Sequence, residues 1–139
     1  MMRSSFTACF ILAGTLLFLP VDVFCGPASI VGVFEGALEP DLVSPCSVEI
    51  TLDPGAGLLF RWMPEIYRTD RFEFRLYSGY SAVADSLVLK KIVPAHASSL
   101  ELDRDLFADG RVYTWSLVRV LVTGEKSGKA FASFRVKKL

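Results

Sequence analysis

From Ile30 onward the apolar residues of this chain recur at every second position. Leu58, Phe60 and Trp62 alternate with Leu59, Arg61 and Met63; Phe72, Phe74 and Leu76 alternate with Arg71, Glu73 and Arg75; Val48, Ile50 and Leu52 alternate with Glu49 and Thr51. A period of two sends successive side chains to opposite faces of an extended chain, so each run predicts a strand with one face in a core and one in water. The runs SLVLKKIV (86–93), SSLELD (98–103), RVYTWSLVRVLV (111–122) and KAFASFRV (129–136) fit the same reading. Turn-forming residues separate them, at Asp53-Pro54-Gly55, Met63-Pro64, Ser78-Gly79, Pro94, Asp109-Gly110 and from Gly124 to Gly128. About seven short strands, each with an apolar face to be covered, predict two packed sheets in an all-β sandwich.

The first residues follow another pattern. MMRSSFTACFILAGTLLFLP carries one positive charge at Arg3, then an uncharged and mostly apolar run from Phe6 to Leu19, then Pro20. That run is shorter than the roughly 20 residues a transmembrane helix needs, and it predicts a secretory signal peptide over residues 1–25, cleaved near Cys25 to Ala28. Cys25 is also a candidate for lipidation, although Phe24 and Asp22 stand where a lipobox has a small and an aliphatic residue. Residues 26–41 form an N-terminal extension, in which SIVGVFEGA (29–37) reads as an extra edge strand; LEPDLVSP (38–45) reads as a proline-bearing linker, and the sandwich occupies 42–139.

Removal of the leader leaves roughly 114 residues, one small domain. Its charges balance: 15 basic and 15 acidic residues fall to equal numbers once Arg3 and Asp22 leave with the leader. No pole of either sign is legible in the sequence, which argues against a nucleic-acid partner. Of the three cysteines, Cys9 departs with the leader. A Cys25–Cys46 bridge would form in an oxidising compartment; otherwise Cys46 is a small buried apolar residue.

Five segments in order, LVSP (42–45), LLFRWMP (58–64), RFEFRLYSG (71–79), FADGRVYTWSL (107–117) and FRV (134–136), resemble the fibronectin type III superfamily of immunoglobulin-like sandwiches. The resemblance is to its divergent bacterial exported members. It implies that Tyr113 is a tyrosine corner, its hydroxyl bonded to upstream backbone, and that Gly110 makes the preceding turn. It further implies a structural core of Trp62, Phe72, Phe74, Tyr113, Trp115, Leu117 and Phe134 across a gap about 10 Å wide. Arg119 departs from the family pattern, standing where members place a small or apolar inward residue; a bulge near it would switch the faces of the strand. No Arg-Gly-Asp occurs.

Candidate chemistry is sparse. The single histidine, His96, stands in a loop sequence with Ser98, Ser99 and Asp103 nearby, but a nucleophile–histidine–carboxylate set needs contact that sequence proximity does not supply. One histidine and one body cysteine do not make a four-ligand zinc site, and Asp103, Asp105 and Asp109 lack the spacing of a calcium loop. Tyr67, Tyr77 and Tyr80 are candidate ligand contacts for a glycan. Lys90-Lys91 and Lys137-Lys138 read as guards of sheet edges. The sequence therefore predicts an exported, periplasmic, cell-surface or secreted module without catalytic, cofactor or metal site. Its expected role is protein–protein interaction or structure in the cell envelope, with carbohydrate binding through exposed tyrosines as the alternative. A membrane is reached only through an anchor at Cys25.

Overall fold

The computed structural model describes residues 38–46 and 48–139. Signal peptide, residues 26–37 and Cys25 lie outside the described residues. Eight strands follow in chain order: β1 (Leu42–Ser44), β2 (Glu49–Leu52), β3 (Leu58–Trp62), β4 (Thr69–Ser78), β5 (Leu87–Pro94), β6 (Ser99–Leu102), β7 (Val112–Leu121) and β8 (Ala130–Lys138). They make a three-stranded sheet in the order β1-β3-β6 and a five-stranded sheet in the order β2-β8-β7-β4-β5. Every pairing is antiparallel except β2 with β8, which run parallel. The chain is thus an all-β, two-sheet sandwich with an immunoglobulin-like layout of its layers.

Alternation explains why these segments extend. In β3, Leu58, Phe60 and Trp62 are buried while Leu59 and Arg61 are exposed. Their inward faces meet Phe72, Phe74 and Leu76 of β4, Trp115 and Leu117 of β7 and Phe134 and Val136 of β8, all in one core cluster. Phe60 sits at the centre of it. Its ring lies 5.0 Å from that of Phe74, 5.2 Å from Trp115, 5.9 Å from Phe134 and 6.4 Å from Phe107. Trp62 packs on Phe72 at 5.8 Å. Both buried indoles keep their N–H groups satisfied, Trp62 Nε1 donating to the Ala97 carbonyl and Trp115 Nε1 to that of Pro45, each at 3.0 Å.

The entry to β7 is fixed by one hydrogen bond. Tyr113 is buried, and its hydroxyl accepts the Ala108 backbone N–H at 2.8 Å, the tie that defines a tyrosine corner. Gly110, at φ 73°, turns the chain between the two residues in a region that favours glycine. The Phe107 ring closes the corner edge-on against Tyr113 at 5.2 Å.

Four expectations need correction. Residues 42–44 are not linker: Leu42 pairs with Trp62 and is buried, and Pro40 and Pro45 are buried beside it. Val48 precedes β2 and is exposed, so only Leu52 and, in part, Ile50 of that run join the core. Lys137 and Lys138 stand on an interior strand, because β2 covers the flank of β8 by parallel pairing; β2 and β5 are the outer strands. The bulge lies on β4, between Thr69 and Arg71, and not on β7. Arg119 accordingly keeps the inward parity, directly across from Phe72. It closes the end of the core as a buried cation, Nε donating to Thr69 Oγ1 at 2.7 Å and Nη2 to the Tyr67 carbonyl at 2.9 Å.

Two substitutions test this core. Phe60→Ala removes the ring shared by four others and should lower unfolding free energy by about 3–5 kcal/mol, read from the urea midpoint at unchanged slope. Tyr113→Phe should cost about 1 kcal/mol, the net worth of the hydrogen bond that the Ala108 N–H gives to the Tyr113 hydroxyl.

Candidate interaction face

The period that buries Phe72, Phe74 and Leu76 turns Arg71, Glu73, Arg75 and Tyr77 to the outer face of the five-stranded sheet. The strand registers extend this face on both sides. Glu73 lies across from Ile92 and Arg75 from Lys90 on β5; Arg75 also lies across from Ser116 on β7, which in turn faces Phe131 on β8. Arg135 and Lys137 continue the row along β8, with Glu49 opposite Arg135. The turn after β7 brings Lys126 against Glu73 at 3.0 Å and Lys129 over the Tyr77 ring, 5.8 Å from its centre.

The electrostatics around β4 on this face centre on one carboxylate, with a second, Glu49, beside Arg135 at the β2 flank. Glu73 is buried, with Arg75 Nη2 at 3.7 Å in addition to Lys126. The hydrogen bond from Lys126 holds its carboxyl below the usual range; burial opposes this, and the charges of Lys126, Lys90 and Arg75 reinforce it. Around Tyr77, burial pushes the phenol up, but the Arg75 guanidinium, the Ser116 hydroxyl and the Lys129 charge outweigh it and the net shift is downward. Beneath them Thr114 and Ser116 are buried. Thr114 shares a hydrogen bond of 2.7 Å with Ser133, and the Ser116 hydroxyl lies against the Tyr77 phenol. Two large apolar side chains stay in solvent beside the cations, Phe131 at 64% exposure and Ile92 at 55%.

The cluster of cations is local and makes no pole: Glu125 adjoins Lys126 in the turn after β7 and Asp70 opens β4 at that end, while Asp53, Asp85, Asp103, Asp105 and Asp109 lie in turns at the far end of the sandwich together with Arg104 and Arg111. There an open groove of about 500 Å³ is lined by Gly55, Gly57, Glu101, Asp103, Arg104 and Asp105. It contains no nucleophile–base pair. Asp103 caps its own turn through the Asp105 N–H, and Asp109 accepts from the Lys138 backbone. Among the described residues no group of three or more histidine, cysteine or acidic side chains is placed to hold a metal ion.

The three tyrosines are not brought together. Tyr77 is only 2% exposed and is covered by its neighbours, so it offers no ring face to a ligand, contrary to the sequence-based expectation. Tyr67 and Tyr80 are exposed but flank the ten residues of β4, a separation of roughly 30 Å along an extended strand. His96 is exposed in the turn before β6, and Asp103 follows the other end of that strand. The remaining residues named from the sequence, Trp62, Phe72, Phe74, Trp115, Leu117 and Phe134, are all buried in the core. Sequence reasoning missed the face because its members come from four strands and a turn; the one local signal was the cationic outward parity of Arg71 and Arg75.

No protein-family model and no curated protein matches the sequence. Among solved structures, the chain is similar to the fibronectin(III)-like modules of CbhA from Clostridium thermocellum, at 13% identity and a TM-score of 0.47, over 70% of this chain and 94% of that one. It is also similar to part of the spore cortex lytic enzyme SleM of Clostridium perfringens, at 12% identity and a TM-score of 0.46, over 70% of this chain and 27% of that one.

Glu73→Gln should lower stability at neutral pH by on the order of 1 kcal/mol, since Lys126 is itself largely exposed. The sign of the pH dependence follows from the downward shift. The contribution of Glu73 is present above the ordinary carboxylate pKa and is lost as pH falls through its lower folded value, so thermal melts of the two proteins should converge in acid.

Proposed function

We propose that the domain is an exported, non-catalytic interaction module of the cell envelope that presents the outer face of its five-stranded sheet to a protein partner. The observation that carries this reading is the juxtaposition on that face of solvent-exposed Phe131 and Ile92 with a cluster of cations. Aromatic residues and arginine are enriched at protein interfaces, and exposed apolar side chains grouped on one face mark contact surfaces more often than isolated ones do. The outer face of the smaller sheet offers Leu59 and Arg61 of β3 with Ser99 and Glu101 of β6, a narrower and electrically mixed surface.

Export is supported by the leader over residues 1–25 and by Cys46, which is disulfide-bonded with its other half outside the described residues. Disulfides persist in oxidising compartments. Acylation of Cys25 would compete with its use as a disulfide half, and the intact mass of mature protein from soluble and membrane fractions, with and without reduction, distinguishes an acylated chain beginning at Cys25 from one that keeps Cys25 bridged to Cys46 and from one cleaved after it.

The interaction itself is tested by photo-crosslinking side chains placed singly at Phe131, Ile92, Leu59 and Glu101 in the native host. Discrete cross-linked species should arise from the first two positions and not from the last two. Equal cross-linking from all four, or none from Phe131 and Ile92, would overturn the assignment of the face.

A further inference from the structure

The partner's chemistry is written in the same face, and this step rests on the reading of that face as the interaction surface. Arg75, Lys90, Lys126 and Lys129 converge on one carboxylate, Glu73, and one covered phenol, Tyr77. The carboxylate can neutralise one of the four. Lys90 is exposed on an outer strand, and Lys129 has a π-face in place of an acidic partner. The cations therefore gather over β4, β5 and the turn after β7, with Ile92 on β5 and Phe131 on β8 beside them.

We propose that this patch docks an acidic polypeptide segment whose carboxylates meet Lys90, Lys126 and Lys129 while its apolar residues cover Phe131 and Ile92. Charge complementarity selects an anion, because a like-charged or neutral surface would leave these cations desolvated and unpaired on contact. The two apolar flanks select a polypeptide over a uniform polyanion, since a chain of phosphates or sulfated sugars has no apolar side chains with which to cover Phe131 and Ile92. Three of the four strands under the patch, β4, β7 and β8, are paired on both sides, so recognition across them runs through side chains and does not need strand addition.

The test is a titration of isotopically labelled protein, followed by amide shifts, with a short synthetic peptide that alternates glutamate with leucine and phenylalanine. Polyglutamate and heparin are titrated in parallel. The alternating peptide should shift amides of β4, β5, β7 and β8 and bind more tightly than polyglutamate or heparin. The double charge reversal Lys90→Glu with Lys129→Glu should weaken it by at least about tenfold, and Phe131→Ser severalfold, with melting temperatures close to that of the parent. Shifts confined to other surfaces, or no binding, would overturn the proposal. So would heparin binding as tightly as the peptide and equally well to the Phe131→Ser protein, which would make the patch a general polyanion surface. The two readings fail separately: cross-links from Phe131 to a segment with no excess of aspartate and glutamate would sink the acidic partner while leaving the interaction face standing.

Discussion

Everything in this domain is arranged around the ring of Phe60. A two-sheet sandwich has no element that crosses its core, so the layers are held only by side chains that reach the midplane from both sides. Phe60 comes from the three-stranded sheet, whose contribution is short, and it touches rings from β4, β7 and β8 of the larger sheet together with Phe107 from the turn before β7. Three of these contacts are edge-on or nearly so and one is stacked, the geometries that the ring quadrupole favours over face-to-face contact. One side chain therefore couples four segments far apart in sequence, and the tyrosine corner holds the turn that delivers Phe107 to it.

A core built this way leaves the outer faces free of packing duty, but not free of constraint. Period two forces β4 to place a residue outward for every one it buries, and with Phe72, Phe74 and Leu76 inward the outward set is Arg71, Glu73, Arg75 and Tyr77. β5 adds Lys90 directly across from Arg75, and Lys126 and Lys129 approach from the turn after β7, so the repulsion must be relieved within the face. Glu73 does this for Lys126 and Arg75, and the Tyr77 ring accommodates Lys129. The relief is incomplete by count of charges, and positive charge is left over on the face.

The sequence was most informative where the signal is local. In β3 the parity of apolar residues is the parity of burial, and the turn at Asp109-Gly110 with a tyrosine three residues on is a short-range pattern with a short-range cause. It was least informative where position depends on which strands become neighbours. Lys137 and Lys138 look like edge residues until β2, about 90 residues earlier in the chain, crosses to the larger sheet and pairs parallel with β8. Arg119 looks misplaced until the bulge is found on the opposite strand and the end of the core is seen to be closed by a cation whose hydrogen bonds go to Thr69 and the Tyr67 carbonyl. Tyr77 has the outward parity of an exposed ring, and no pattern in its own strand says that Lys129, from the segment before β8, will lie over it.

The same distinction governs electrostatics. Net charge is a sum over the chain and carries no information about where the charges go; a neutral sequence can fold into a surface of any polarity. Here the acids are concentrated in turns, where aspartate supplies caps and turn geometry, as Asp103 and Asp109 do through backbone N–H groups. Arg71, Arg75 and Lys90 are instead placed along strands, while Lys126 and Lys129 reach the same face from the turn after β7. These local placements gather cations on one face without any imbalance in composition. A charged face produced this way is a by-product of how strands and turns are built; what strand packing does not require is the pair of apolar side chains beside it, Phe131 and Ile92.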